Sequence, residues 1–222
     1  MEAIKRLVLA VSDNDLKTVQ SLAATGSSLQ CRDEHGHSPV STAAREGHLE
    51  MLRWLLSHGG NANSLGCNDH PAIVLATLAG HVEIVSLLLD HLADPNRSRA
   101  SGGETALHAA AIGRHVDIVR LLVEAGAQVN IHTAKHVESD FLWNVLLTSD
   151  TPLHLAACYG PEAMVECLLA LGANPRLENY RQETPLACAL RMRRPAAVLA
   201  PLRGERYSAW SDSLPVRKAI VA

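Results

Sequence analysis

The sequence predicts an all-α protein, a solenoid of about six helix-turn-helix units with an extended insertion in one hairpin. Three observations predict it. A short segment, Ser38-Pro39-Val40-Ser41-Thr42-Ala43-Ala44, returns in similar form at Pro71 to Thr77, Thr105 to Ala111, Thr151 to Ala157 and Thr184 to Leu190, with starts 33, 34, 46 and 33 residues apart. A second apolar group follows four of these starts at i, i+1, i+4, i+5 spacing: Met51/Leu52/Leu55/Leu56, Ile84/Val85/Leu88/Leu89, Ile118/Val119/Leu122/Val123 and Met164/Val165/Leu168/Leu169. That spacing marks one face of a helix. Aromatics are only 3% of the chain, which suits closely approaching helices and disfavours a sandwich or barrel of strands.

Taken in order, Ala10, Leu16, Val19, Leu22 and Gly26 form a half-matching first unit, 33 residues before Ala43, Leu49, Leu52, Leu55 and Gly59. Ser38, Thr105, Thr151 and Thr184 are N-cap types followed by Pro or Ala, and start the inner helices. Ala43, Ala76, Ala110, Ala156 and Ala189 are small, so inner helices can approach closely while the larger outer residues splay the other side. Gly47, Gly80, Gly160 and, in the third copy, Arg114 beside Gly113 fill the turn between helices. Gly26, Gly59, Gly126 and Gly172 end the outer helices where a left-handed residue is needed. Leu92 holds that place in the Pro71 unit, so that helix end is expected to be strained or rebuilt, at about 1–2 kcal/mol. After Thr184 the pattern decays: Arg193 and Arg194 replace Gly-His, and Pro201 predicts a broken outer helix. The repeat domain is placed at 1–203, with the insertion at 131–150 and a tail at 204–222. One unit buries too little apolar surface to offset the ordering of its backbone, so stability must come from stacking.

Thr151-Pro152-Leu153-His154-Leu155-Ala156, and nearly so Thr105-Ala106-Leu107-His108-Ala109-Ala110, resemble the opening motif of the ankyrin repeat. The resemblance covers about Ala3 to Leu202, in five matching units and the half-matching one. It implies a protein-binding solenoid whose concave face and hairpin tips contact partners. It also implies that His108 and His154 bridge turns by hydrogen bonds, and that Asn63, Asn96 and Asn130, which share one position after the outer helix, can be substrates of an asparaginyl hydroxylase. A structural turn role is the other reading of these asparagines.

Composition excludes several classes. Net charge is -3, so no global basic field attracts nucleic acid or anionic lipid; the segment from Arg191 to Ala222 is nevertheless basic. Five cysteines without a CxxC pair suggest neither a disulfide framework nor a thiolate zinc site. No apolar run approaches membrane length, and in Met1 to Ala10 a charged pair is followed by only four apolar residues, too few for a signal h-region. A cytoplasmic or nuclear monomer is expected, with a protein partner, no nucleic acid and no membrane. No phosphate loop, nucleophile elbow or HExxH is present, so no catalytic residue and no cofactor is expected. His35-x-His37 and His132-x3-His136 lack a companion ligand at zinc spacing, so no metal site is expected.

Candidate partner-binding residues fall in three sets. The ends of the inner helices present Arg45, Leu78, Ile112 and Tyr159, of which the last three would form an apolar stripe; partial burial between helices is the alternative. The hairpin tips, Glu34 to His37, Asn68-Asp69, Ser98 to Glu104 and Asn179 to Arg181, present His35, Tyr180 and Arg181; solvated turns are the alternative. The insertion presents Phe141 and Trp143 as interface anchors, or else forms a short helix that folds back on the repeats. The function expected is a non-catalytic interaction module or adaptor; the alternative is a substrate-recruiting subunit of a larger enzyme complex such as a ubiquitin ligase.

Overall fold

The computed structural model describes residues 2–99, 103–133 and 149–204. Phe141, Trp143 and residues 205–222 lie outside the described residues. Within them, twelve α-helices form six consecutive pairs: α1 (Glu2–Ser12) with α2 (Leu16–Ala24), α3 (Pro39–Glu46) with α4 (Leu49–Ser57), α5 (Ala72–Ala79) with α6 (Val82–Asp90), α7 (Ala106–Gly113) with α8 (Val116–Glu124), α9 (Pro152–Tyr159) with α10 (Glu162–Ala170), and α11 (Pro185–Arg191) with α12 (Ala196–Leu202). No strand occurs among the described residues beyond an isolated bridge between Leu65 and Pro71.

Odd-numbered helices stack in an inner layer and even-numbered helices in an outer one, and from α3 onward the inner neighbours are the more closely packed. The cause is side-chain size. Ala43, Ala76, Ala110, Ala156 and Ala189 are fully buried and bring inner backbones together, whereas fully buried Leu52, Leu55, Leu88, Leu122 and Leu168 space the outer layer. Each of these leucines contributes about 1.5–3 kcal/mol on burial. The inner face is therefore the narrower one.

Three ladders hold the repeats in register. In the first, histidines after the inner turns reach back one repeat: His48 Nε2 donates to the Ser12 carbonyl at 3.0 Å and His81 Nε2 to the Arg45 carbonyl at 3.2 Å. Gly47 and Gly80 are left-handed, and a Cβ on either would stand within 2.7 Å of the His81 or His115 ring. The last repeat keeps this device with other residues. Arg193 is left-handed at φ +53°, and the Arg194 guanidinium donates to the Gly160 carbonyl, so the Arg193-Arg194 pair substitutes for Gly-His and the pattern does not decay there. Gly160 itself is extended, φ -79°, because the following Pro161 disfavours other conformations.

The second ladder consists of carboxamides. Asn63 Nδ2 donates to the Leu92 carbonyl at 3.0 Å while its Oδ1 accepts from Asp94 N at 2.8 Å. Asn96 does the same with Gly126 and Gln128, and Asn130 with Gly172 and Asn174. Each thus ties one outer-helix exit to the next. Asn96→Ala removes both bonds from a partly exposed site and is expected to lower stability by about 1–2 kcal/mol, read from chemical denaturation.

In the third ladder, Thr105 N–H donates to His108 Nδ1 at 3.3 Å and His108 Nε2 donates to the Asp150 carbonyl at 3.1 Å. Thr151, His154 and the Glu183 carbonyl repeat the arrangement at 3.2 and 2.9 Å.

Leu92 ends α6 in the left-handed region, φ +63°, with 84% of its surface exposed. The turn closes as it does elsewhere, Ala93 N donating to Leu88 O at 2.9 Å, so the strain is borne by Leu92 and not relieved by a different turn. Leu92→Gly is expected to raise stability by about 0.5–1 kcal/mol, as a higher urea midpoint at unchanged slope. Pro201, by contrast, does not break its helix. It is buried inside α12, which ends one residue later. α12 has seven residues where α4, α6, α8 and α10 have nine; Pro201 is its sixth residue, so the ring removes only the one bond that would reach back to the Ala197 carbonyl, and the helix continues through it.

The hairpin stems locate the insertion. Asp33 N donates to His37 O, Gly66 N to His70 O and Asn179 N to Glu183 O, each four residues on; Thr133 N donates to Asp150 O at 3.0 Å, seventeen residues on. Asp150 N also donates to Thr133 Oγ1 at 3.1 Å. The thirteen extra residues therefore fall between Thr133 and Asp150, which pair as the ends of the other stems do.

Candidate partner-binding surface

The inner-helix ends and hairpins build separate places along the narrow face. In the middle, α5 and α7 lay Leu78 and Ile112 side by side, with Val74, Ala109 and His108 beneath and His70, Arg99 and Glu104 from the neighbouring loops closing the groove. Leu78 and Ile112 are half-buried, packed on the core at one side. His70 Nδ1, Arg99 Nε and Glu104 Oε2 are buried here without a hydrogen-bond partner among the described residues. Burial, followed by the Arg99 charge, holds the His70 ring below the usual histidine range. The groove thus combines apolar walls with a neutral imidazole, a cation and a carboxylate, a combination that can take an apolar side chain and the polar groups beside it.

Toward the N-terminus, His35 and Arg45 share a cleft with Lys5, Leu9, Asp33 and Thr42. Lys5 pairs with Glu34 at 2.7 Å and Arg45 with Glu46 at 2.7 Å. The Lys5 hydrogen bond and charge hold the Glu34 carboxyl below its ordinary range. Although partial burial opposes it, Asp33 is held low as well, by the His37 and His35 backbone N–H groups that its Oδ1 accepts at 2.8 and 2.9 Å. Arg32 bridges to the next hairpin through the Gly66 carbonyl and Asp69, at 3.2 and 2.8 Å.

At the other end, Tyr159 is half-buried, and burial raises its phenol above the usual range. Tyr180 is 59% exposed and Arg181 exposed, on a loop in which Asn179 Oδ1 accepts from Arg181 N and Glu183 N at 2.9 and 3.1 Å. The structure therefore places Leu78 with Ile112 in one groove and His35 with Arg45 in another; Tyr159, Tyr180 and Arg181 line neither. His70 was not legible as a site residue, since it lies between the recurring hairpin and helix positions. Arg99 and Glu104 lie in the Ser98 to Glu104 hairpin tip, a candidate surface by sequence, although neither residue stands out individually within it.

The ligand-type side chains that come together are not the His-x-His pairs. Among the described residues they are Asp150, His154 and Cys188, all buried. No helix among the described residues is long and apolar enough to cross a membrane.

Capped helix pairs stacked through alanines, with a grooved narrow face, define a repeat-solenoid interaction protein. Family models for ankyrin repeats match residues 7–99, 64–133 and 149–180. The chain belongs to the ankyrin-repeat family, generally a non-catalytic fold that serves protein–protein interaction. It is 30% identical over 178 residues to the nuclear factor NF-kappa-B p105 subunit of Gallus gallus, covering 78% of this chain and 17% of that protein. It is 36% identical over 100 residues to ankyrin repeat and SOCS box protein 16 of Mus musculus, covering 41% and 19%. With the E3 ubiquitin-protein ligase KEG of Arabidopsis thaliana it shares 32% over 87 residues, covering 39% and 5%. The chain spans less than a fifth of each of these relatives. A chain in the solved complex of the predatory endopeptidase Bd0816 from Bdellovibrio bacteriovorus with immunity protein Bd3460 superimposes with a TM-score of 0.77 at 21% identity, covering 91% of this chain and 98% of that one. That likeness concerns the fold.

Proposed function

We propose that this chain is a non-catalytic adaptor that holds an extended segment of a partner protein along its narrow face, centred on the groove between α5 and α7. The observation that carries the reading is the convergence of His70 Nδ1, Arg99 Nε and Glu104 Oε2, buried and without partners among the described residues, on the apolar pair Leu78 and Ile112. Buried polar atoms are nearly always satisfied in a working state, and a peptide backbone or a polar side chain offers both donor and acceptor. Apolar contact supplies affinity and the three polar atoms set register.

The test is affinity purification with quantitative mass spectrometry from a cell lysate, comparing the wild type with Arg99→Ala/Glu104→Ala and with a chain in which residues 134–149 are replaced by Glu-His-Gly, the loop of the first hairpin. Thr133 and Asp150 are kept because they close the stem. Loss of the same partner with the groove variant supports the reading, and equal recovery sinks it. Loss only on loop replacement moves the site to the insertion, where Phe141 and Trp143 lie. A second reading, recruitment of substrates to a ubiquitin ligase, draws on the likeness to a SOCS box protein and an E3 ligase; recovery of ligase components in the same purification decides it.

A further inference from the structure

Asp150, His154 and Cys188 come from the end of the insertion stem, the first turn of α9 and the middle of α11. One ligand atom from each lies within 4.8 Å of the other two, and all three side chains are buried. Asn179 Nδ2 donates to Asp150 Oδ1 at 2.8 Å and stands 3.5 Å from Cys188 Sγ. The Cys188 thiol donates to Glu183 Oε2 at 3.3 Å, and Arg191 holds that carboxylate from the other side at 2.8 Å. The buried Cys158 thiol, from the last turn of α9, neighbours that of Cys188. A carboxylate, an imidazole and two thiols are a donor set suited to tetrahedral zinc.

We propose that Asp150, His154 and Cys188 bind a divalent thiophilic ion, zinc by this chemistry, with Cys158 closing in as the fourth ligand. Tetrahedral zinc with bonds of about 2.0–2.3 Å sets its ligands roughly 3.3–3.8 Å apart, so the three side chains contract by about 1 Å. The Cys188 proton, now donated to Glu183, leaves to solvent as the thiolate takes the ion, and Cys158 releases its proton likewise. His154 turns one ring nitrogen to the ion, giving up its bond to Thr151 or to the Glu183 carbonyl; the other nitrogen keeps its partner and orients the ring. Asn179 stays on the carboxylate as outer support. The ion fastens the stem of the insertion to the last two repeats.

The full chain, reduced and stripped with a chelator, is titrated with Zn²⁺ and separately with Co²⁺. The expected results are one zinc retained per chain after gel filtration, a higher melting temperature with zinc, and with cobalt a thiolate-to-metal charge-transfer band beside strong tetrahedral d–d absorption. Cys188→Ser abolishes the band and the retention, Cys158→Ser weakens the band, and Cys31→Ser changes neither. A wild type that keeps no stoichiometric zinc and shows no charge-transfer band overturns the proposal. So does a band that survives Cys188→Ser, while one unchanged in Cys158→Ser removes the fourth ligand. The wild-type cobalt spectrum decides even where a variant fails to fold.

Discussion

His108→Ala is expected to lower the stability of the chain by about 2–5 kcal/mol, a large share of what holds any domain folded. The ring is fully buried. It fills space between α7 and the next stem, satisfies Thr105 N through Nδ1 and ties the Asp150 carbonyl through Nε2. Alanine leaves a cavity and strands both backbone groups, each orphan costing about 1–3 kcal/mol unless water reaches it. Both nitrogens are used by the neutral ring, and burial pushes the imidazole down to about 4. An unfolded histidine titrates near 6.5, so acid favours the unfolded chain. His108's contribution is complete above pH 6.5, declines as pH falls toward 4 and is constant below that. At roughly 1.4 kcal/mol per pH unit the loss approaches about 3 kcal/mol. Urea midpoints of the wild type between pH 7 and 4, with chelator present, should fall more steeply than those of His108→Gln. Parallel slopes would show that the acid sensitivity lies elsewhere.

Leu78→Ser with Ile112→Ser is expected to weaken partner binding at least about 100-fold while the repeats stay folded. Two anchors each contributing about 2 kcal/mol or more account for that factor. Both side chains sit half-buried at the rim of the core and not within it, so their loss costs stability far less than a core truncation. Circular dichroism and melting temperature verify the fold, and titration calorimetry with the partner identified by purification measures the affinity. A change below threefold would remove the groove from the binding surface.

The repeats were legible in the sequence because stacking imposes the same demand on every unit. The small inner position at Ala76, the outer leucines Leu88 and Leu122 and the left-handed exits at Gly59 and Gly126 each answer one local requirement, and such requirements recur at a fixed period. Leu92 could be read for the same reason, as a residue out of place. What stayed hidden depends on distant segments meeting. Arg194 takes over the job of a histidine because its length spans the gap to Gly160, which no local rule reveals. Pro201 reads as a helix breaker in isolation, yet as the sixth residue of a seven-residue helix it costs a single intrahelical bond that burial against the stack offsets. The cluster of Asp150, His154 and Cys188 joins three segments, and His154 had already been accounted for as a capping residue. Of the candidate surface, Leu78 and Ile112 were legible by register. Arg99 and Glu104 were legible only as part of the Ser98 to Glu104 tip, and His70 not at all, since side chains there follow no periodic rule.

The pairing of Thr133 with Asp150 has an evolutionary and practical meaning. Because Asn130 still reaches Gly172 and Asn174, and His108 still reaches the Asp150 carbonyl, the repeats on either side of the thirteen additional residues stay joined as the others are. Lengthening a loop that is already closed at its base costs only about 0.6 kcal/mol per doubling. The span between 133 and 150 is thus a cassette: foreign sequences of differing length can be grafted there with the melting temperature nearly unchanged, and new specificities can be sampled at little risk to the chain that displays them.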